Sequence, residues 1–128
     1  MRLLLDTHVW LWLLGDVDRL SVDAVAALAN ADDLVLSAAS VWEVTIKHGL
    51  GKLPLPVPLV DVVATSYGSA GMRPLPVEAK HAVAVGDLPG LHRDPFDRLL
   101  VAQARVEGLT LVTTDPRVQG YDVSVLPV

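Results

Sequence analysis

The sequence predicts an α/β fold in which a central, mostly parallel sheet of four or five strands is covered by helices on both faces. Three observations carry this. Short, mainly apolar runs without alternation occur at 2–6, 34–37 and 109–113, as expected of strands buried on both faces. Ala/Val/Leu-rich segments with helix start and stop residues lie between them. Strands and helices therefore alternate, which is the pattern of a parallel sheet.

Each element has a local reason. After the strand at 2–6, Thr7 is placed to cap a helix that runs to about Leu14 and stops at Gly15. Ser21 caps a second helix, to about Asn30, and 34–37 is the second strand. A helix over 39–48 meets its stop signals at Gly49 and Gly51. Pro54, Pro56 and Pro58 stiffen the next connector, and Pro58 suits the first turn of a helix over 59–69. A weak strand at 72–75 and a short helix at 77–85 follow, then a surface loop over 86–93 with Pro89 and Gly90. Asp94 and Pro95 open a strong helix that ends at Glu107 before Gly108. The strand at 109–113, a turn with Pro116 and Gly120, and a short last strand at 123–126 complete the chain.

At 128 residues the chain is expected to form one domain over 1–128, and 52% hydrophobic residues supply a sizeable core. No apolar run approaches the ~18 residues of a membrane span. Asp6 breaks the run after Leu3-Leu4-Leu5, which makes a poor signal peptide. The chain has no cysteine, so disulfides, thiolate metal sites and cysteine nucleophiles are excluded. A cytoplasmic location is the expectation. The net charge of −5 argues against nucleic acid on its face. Divalent cations on the acids would cancel most of it, so charge alone decides nothing.

Function is written in four carboxylates that stand alone in apolar segments: Asp6, Glu43, Asp97 and Asp115. A buried carboxylate is costly unless it is paired, hydrogen-bonded or on a metal. The predicted strands bring all four to the carboxyl edge of one sheet, where ligands of such folds bind. Crowded carboxylates repel one another and ionise together only when a cation joins them. Mg²⁺ takes oxygen ligands, and Mn²⁺ is the alternative. Such a site can activate a water and steady a phosphoryl displacement. Any one acid alone is as readily a cap or an ion-pair partner; four on one edge are not.

Neighbouring residues offer supporting roles. Thr7, Thr113 and Thr114 adjoin site acids and can hold a carboxylate or a water. Asp94 lies three residues before Asp97, but fits the helix cap better. Arg98 can meet a phosphate, with a surface ion pair the simpler reading. His8, His48, His81 and His92 lack metal-ligand spacing and are assigned no chemistry.

The segments MRLLLDTHVWLW (1–12), SVWEVTIK (40–47), DPFDRLLVAQA (94–104) and TTD (113–115) resemble the VapC-type branch of PIN domains. Each motif is weak alone; in this order and spacing the set is specific. The resemblance implies a PIN-like three-layer α/β/α sandwich. It implies a Mg²⁺-dependent endoribonuclease, the toxin of a type II toxin–antitoxin pair, which hydrolyses RNA and inhibits translation. The family's acids match Asp6, Glu43, Asp97 and Asp115, and none is missing. It also implies a VapB-like antitoxin and a homodimer as partners, and no membrane.

The rivals fare worse. A haloacid-dehalogenase-type phosphotransferase wants an acid two residues after Asp6, where His8 stands. A receiver domain needs an acid pair near the first strand, and Asp6 is single. No G-x-S-x-G elbow occurs. A non-enzymatic, cation-binding α/β module leaves the four placed acids without a use. The first helix is apolar around most of its circumference, so Trp10 and Trp12 are expected on a partner surface.

Overall fold

A computed structural model describes residues 1–128. Its strands are β1 (Arg2–Leu5), β2 (Asp33–Ser37), β3 (Arg73–Leu75), β4 (Thr110–Thr113) and β5 (Val125–Pro127). The helices are α1 (Thr7–Gly15), α2 (Val22–Ala29), α3 (Ala38–Gly49), α4 (Leu59–Tyr67), α5 (Ala79–Val85) and α6 (Pro95–Glu107). Short 3₁₀ turns at Val17–Arg19 and Val118–Gly120 were not anticipated.

All strand pairings are parallel, in the order β3-β2-β1-β4-β5. The chain moves outward from β1 through β2 to β3, then crosses to β4 on the other side. The order therefore reverses between β1 and β4, and a crevice opens beyond their carboxyl ends. Asp6 follows β1 and Asp115 follows β4, so both acids stand at that crevice.

The uniform apolar runs have a simple cause. Successive strand side chains point to opposite faces, and here each face has its own core. Leu4, Val35 and Leu111 pack with Leu100, Val101 and Ala104 of α6. Leu3, Leu5, Leu36 and Val112 pack on the other side with Val9 and Trp10 of α1 and Ala24 and Leu28 of α2. Helices, sheet and helices thus form the three layers predicted. No helix is long and apolar enough to cross a membrane.

Two expectations about α1 are corrected. Asp6, not Thr7, is its N-cap: the Asp6 carboxylate accepts the backbone N–H of His8 at 3.0 Å. Thr7 already has helical backbone, because the strand pairing extends to Asp6, whose N–H donates to the Val112 carbonyl. Trp10 does not face a partner either. It is wholly buried, and its indole Nε1–H donates to Ser66 Oγ of α4 at 2.8 Å. Trp10 is held between the sheet and α4, while Leu14 at the end of α1 stays exposed. Trp12 is half-buried, with the Arg19 guanidinium 5.5 Å from its ring centre.

Asp94 caps α6 as anticipated, accepting the N–H groups of Phe96 at 2.8 Å and Asp97 at 3.3 Å. Gly108 closes this helix with φ +66, a left-handed conformation that strains other residues. Buried Gln103 ties the middle of α6 to Ser37 at the end of β2 and to the Pro76 carbonyl. Its first turn, with Asp97, is thereby aimed at the crevice.

Candidate metal centre

Asp6, Glu43, Asp97 and Asp115 line one cavity of about 300 Å³ at the carboxyl edge of the sheet, and no hydrophobic residue lines it. Each acid is held differently. Asp6 is buried, with Oδ1 on the His8 N–H and Oδ2 accepting Thr113 Oγ1 at 2.6 Å. Glu43, in the N-terminal half of α3, accepts the Thr7 hydroxyl at 2.7 Å through Oε1 and the Lys47 ammonium through Oε2. Thr7 and Thr113 are therefore buried hydroxyls that orient site acids, one of the two uses foreseen for them.

Asp115 is the most heavily bonded. Its Oδ1 accepts the Arg117 backbone N–H at 2.9 Å and Arg117 Nε at 3.2 Å. Its Oδ2 takes Arg117 Nη2 at 3.2 Å and His92 Nε2 at 2.8 Å. Burial pushes this carboxyl up, but the Arg117 and His92 hydrogen bonds outweigh it and hold it at about 2.

Asp97 is the opposite case. Burial, then the charges of Asp6 and Asp94, push its carboxyl up from 3.8 to about 7, with Glu43 adding to the rise and His92 opposing it. No Lys or Arg lies within ion-pair distance of Asp97, and its nearest ring nitrogen, His92 Nε2, lies 3.0 Å from Oδ2. This carboxylate is short of positive charge. The donors around it are carboxylate oxygens, which suit a hard divalent cation such as Mg²⁺ or Mn²⁺. The residues present therefore fit such an ion.

Three residues depart from expectation. His92, assigned no chemistry, is buried inside the site, with donor atoms of His92, Asp97 and Asp115 within 4.8 Å of one another. Lys47 also lines the cavity, and Glu43 raises its affinity for the proton. Its place one helical turn after Glu43 was a usable signal; His92 left none. Arg98 makes neither a phosphate site nor a surface ion pair. It donates to the carbonyls of Pro89 at 3.0 Å, Val85 at 3.2 Å and His92 at 3.4 Å. The loop of 86–93 leaves carbonyls without secondary-structure partners, and Arg98 gathers them.

A parallel sheet with an acid-lined crevice at its strand reversal defines a class of α/β proteins whose candidate site lies at the sheet edge. The particular family is the PIN domain, whose profile matches residues 3–123; the chain belongs to it. Ribonuclease VapC22 of Mycobacterium tuberculosis is 32% identical over 121 residues, covering 92% of this chain and 90% of that protein. In fold, the chain resembles a chain of VapBC2 from Rickettsia felis, solved bound to a promoter DNA fragment. There the TM-score is 0.74 at 17% identity, over 99% of this chain and 98% of that one. FitAcB from Neisseria gonorrhoeae gives a TM-score of 0.67 at 24% identity, over 97% and 96%.

Proposed function

We propose that this chain is a Mg²⁺-dependent endoribonuclease of the VapC type, the toxin of a toxin–antitoxin pair. Mn²⁺ is an alternative ion. The observation that carries this is that Asp6, Glu43, Asp97 and Asp115 line one cavity at the carboxyl edge of the sheet. A relative named as a ribonuclease along nearly its whole length adds support.

Asp6 and Asp97 are assigned as the side chains that hold the ion between them, with Glu43 and Asp115 completing the shell directly or through water. Held by these acids, Mg²⁺ would supply the charge that lets them ionise together, the activation of a water and the offset of charge on a phosphodiester. The chain's own residues set the stage for that. Thr113 and Thr7 fix the Asp6 and Glu43 carboxylates, so little reorganisation is needed when RNA arrives. Lys47 and Arg117 line the same cavity and can meet backbone phosphates. Unpaired RNA is the substrate class favoured, because a recessed site is reached by single strands and loops. Cleavage of cellular RNA would inhibit translation, and the proposed location is the cytoplasm.

The purified protein is expected to cut an unstructured RNA in Mg²⁺ and not in excess EDTA, with Asp6→Asn inactive but folded. Full cleavage by EDTA-treated protein would overturn the metal-dependent mechanism.

Two partner surfaces are proposed. The cleft lined by Leu11, Leu14, Leu55, Val57 and Val62, about 340 Å³, suits the apolar face of a VapB-like antitoxin helix. An antitoxin Arg or Lys reaching the acids would act as Lys47 does at Glu43, pairing with a carboxylate in competition with metal. The homodimer surface is assigned to α3. Trp42 and Leu50 are 61% and 64% exposed and Ile46 37%, one stripe at i, i+4 and i+8 with the Trp42 ring packed edge-on against Phe96. A Trp42→Glu, Ile46→Glu double variant should sediment as a monomer while the native chain dimerises. A native chain that stays monomeric at high micromolar concentration would remove this assignment.

A further inference from the structure

We propose that His92 is a positioning residue for the cation site, a single N–H donor that binds Asp115 and gathers Asp97, and not a ligand of the metal. This rests on the cation site proposed above. By distance alone His92 resembles a third ligand, since its Nε2 lies 2.8 Å from Asp115 Oδ2 and 3.0 Å from Asp97 Oδ2.

The other ring nitrogen decides the matter. His92 Nδ1 faces the backbone N–H of Asp94 at 3.1 Å. A backbone N–H only donates, so Nδ1 is the acceptor and carries no hydrogen. The ring hydrogen therefore sits on Nε2, pointing at the carboxylates. For Nε2 to offer a lone pair to a metal, the hydrogen would have to move to Nδ1, directly against the Asp94 N–H. Asp94 is itself fixed as the cap of α6, so this N–H cannot easily turn away.

The imidazole is delivered on a built support. The His92 backbone N–H donates to Tyr121 Oη at 2.8 Å, and its carbonyl accepts Arg98 Nη1. Arg98 also holds the Pro89 and Val85 carbonyls, which fixes the rest of the loop. The loop, α6 and the segment after β4 thus meet at one ring. Groups that orient metal-binding carboxylates in this way are worth about 10–100-fold in metal affinity.

The test is Mn²⁺ binding by calorimetry, with no RNA present, together with pulsed EPR of the Mn²⁺-loaded native protein. The EPR should show no directly bound imidazole nitrogen. His92→Ala should weaken Mn²⁺ binding by about 10–100-fold. His92→Gln, whose amide N–H reaches where Nε2 lies, should recover most of that loss, and the shorter His92→Asn should not. A nitrogen bound to Mn²⁺ that persists in a His8→Ala protein overturns the proposal, since His8 lines the same cavity, as does a His92→Ala protein with native affinity. If the native chain binds no Mn²⁺, the cation site itself falls and this role with it. Tight native binding with an unchanged His92→Ala removes only the role of His92.

Discussion

Asp97→Asn is expected to lower RNA cleavage by at least about 100-fold, the scale of losing one electrostatic group from a reacting centre, and yet to stabilise the metal-free protein above pH 7. The sign follows from the raised carboxyl. Asp97 titrates at about 7 in the fold against an ordinary 3.8. The folded protein therefore binds this proton more tightly than the unfolded chain does. Stability falls as pH rises from about 4 to about 7, and the loss is complete above that. Asparagine never ionises, so the variant escapes the loss. Water screens this carboxylate, which is 19% exposed, so the gain at pH 8 is set at roughly 1–3 kcal/mol, below the full value of the shift. It should vanish at pH 4. Asp115 does not confuse the comparison. Its carboxyl is held at about 2, so its contribution is present above about 4 and lost only as pH falls through 2. Mg²⁺ should raise the melting temperature of the native chain and leave that of the variant nearly unchanged. Thermal melts in EDTA and in Mg²⁺ at pH 4.5 and pH 8 read both effects. A variant less stable than the native chain at pH 8 in EDTA would contradict the repulsion that the cation is held to relieve.

Trp10→Ala is expected to be the most damaging single change to stability among the residues considered. The ring is wholly buried among Leu3, Leu5 and Val44, and its N–H is satisfied by Ser66. Removing a buried Trp costs about 3–5 kcal/mol, a large part of the ~5–15 kcal/mol that holds a domain together. The Ser66 hydroxyl keeps its bond to the Val62 carbonyl, so the cost is chiefly the cavity. Trp12→Ala should cost far less, since that ring is half-buried beside Arg19. Urea unfolding of the two variants orders them. If Trp10→Ala is as stable as the native chain but fails to associate, the ring belongs to an interface after all.

Most of the fold was legible because its cause is local. Uniform apolar runs such as Leu3-Leu4-Leu5 announce a strand covered on both faces, and Asp94-Pro95 with Gly108 bracket α6. The acids were legible for a related reason. Asp6 and Glu43 interrupt apolar segments, and such a cost asks for an explanation. The first errors came where the answer depends on a neighbour. Whether Trp10 meets solvent or α4 is decided by where α4 packs, and nothing within residues 7–14 encodes that. Likewise, Asp6 and Thr7 are both good caps, and the choice between them rests on how far the pairing of β1 with β4 runs.

His92 was illegible for a stronger reason. It lies in an aperiodic loop, 5 residues from Asp97 and 23 from Asp115, and its orientation depends on Arg98 and Tyr121. A ligand-spacing rule finds side chains that share one element. It does not find a ring carried to the site by a loop whose hydrogen bonds come from two other segments. Arg98 was misjudged along with it, because a guanidinium spent on backbone carbonyls looks in sequence like one free for a phosphate.

The most direct measurement is an anomalous difference map from crystals of the native chain grown in Mn²⁺. The account predicts a peak within about 2.5 Å of oxygens of both Asp6 and Asp97, the bonding distance of a hard divalent cation, with His92 Nε2 outside bonding range. A map with no peak among Asp6, Glu43, Asp97 and Asp115, at Mn²⁺ concentrations that support RNA cleavage, would contradict it.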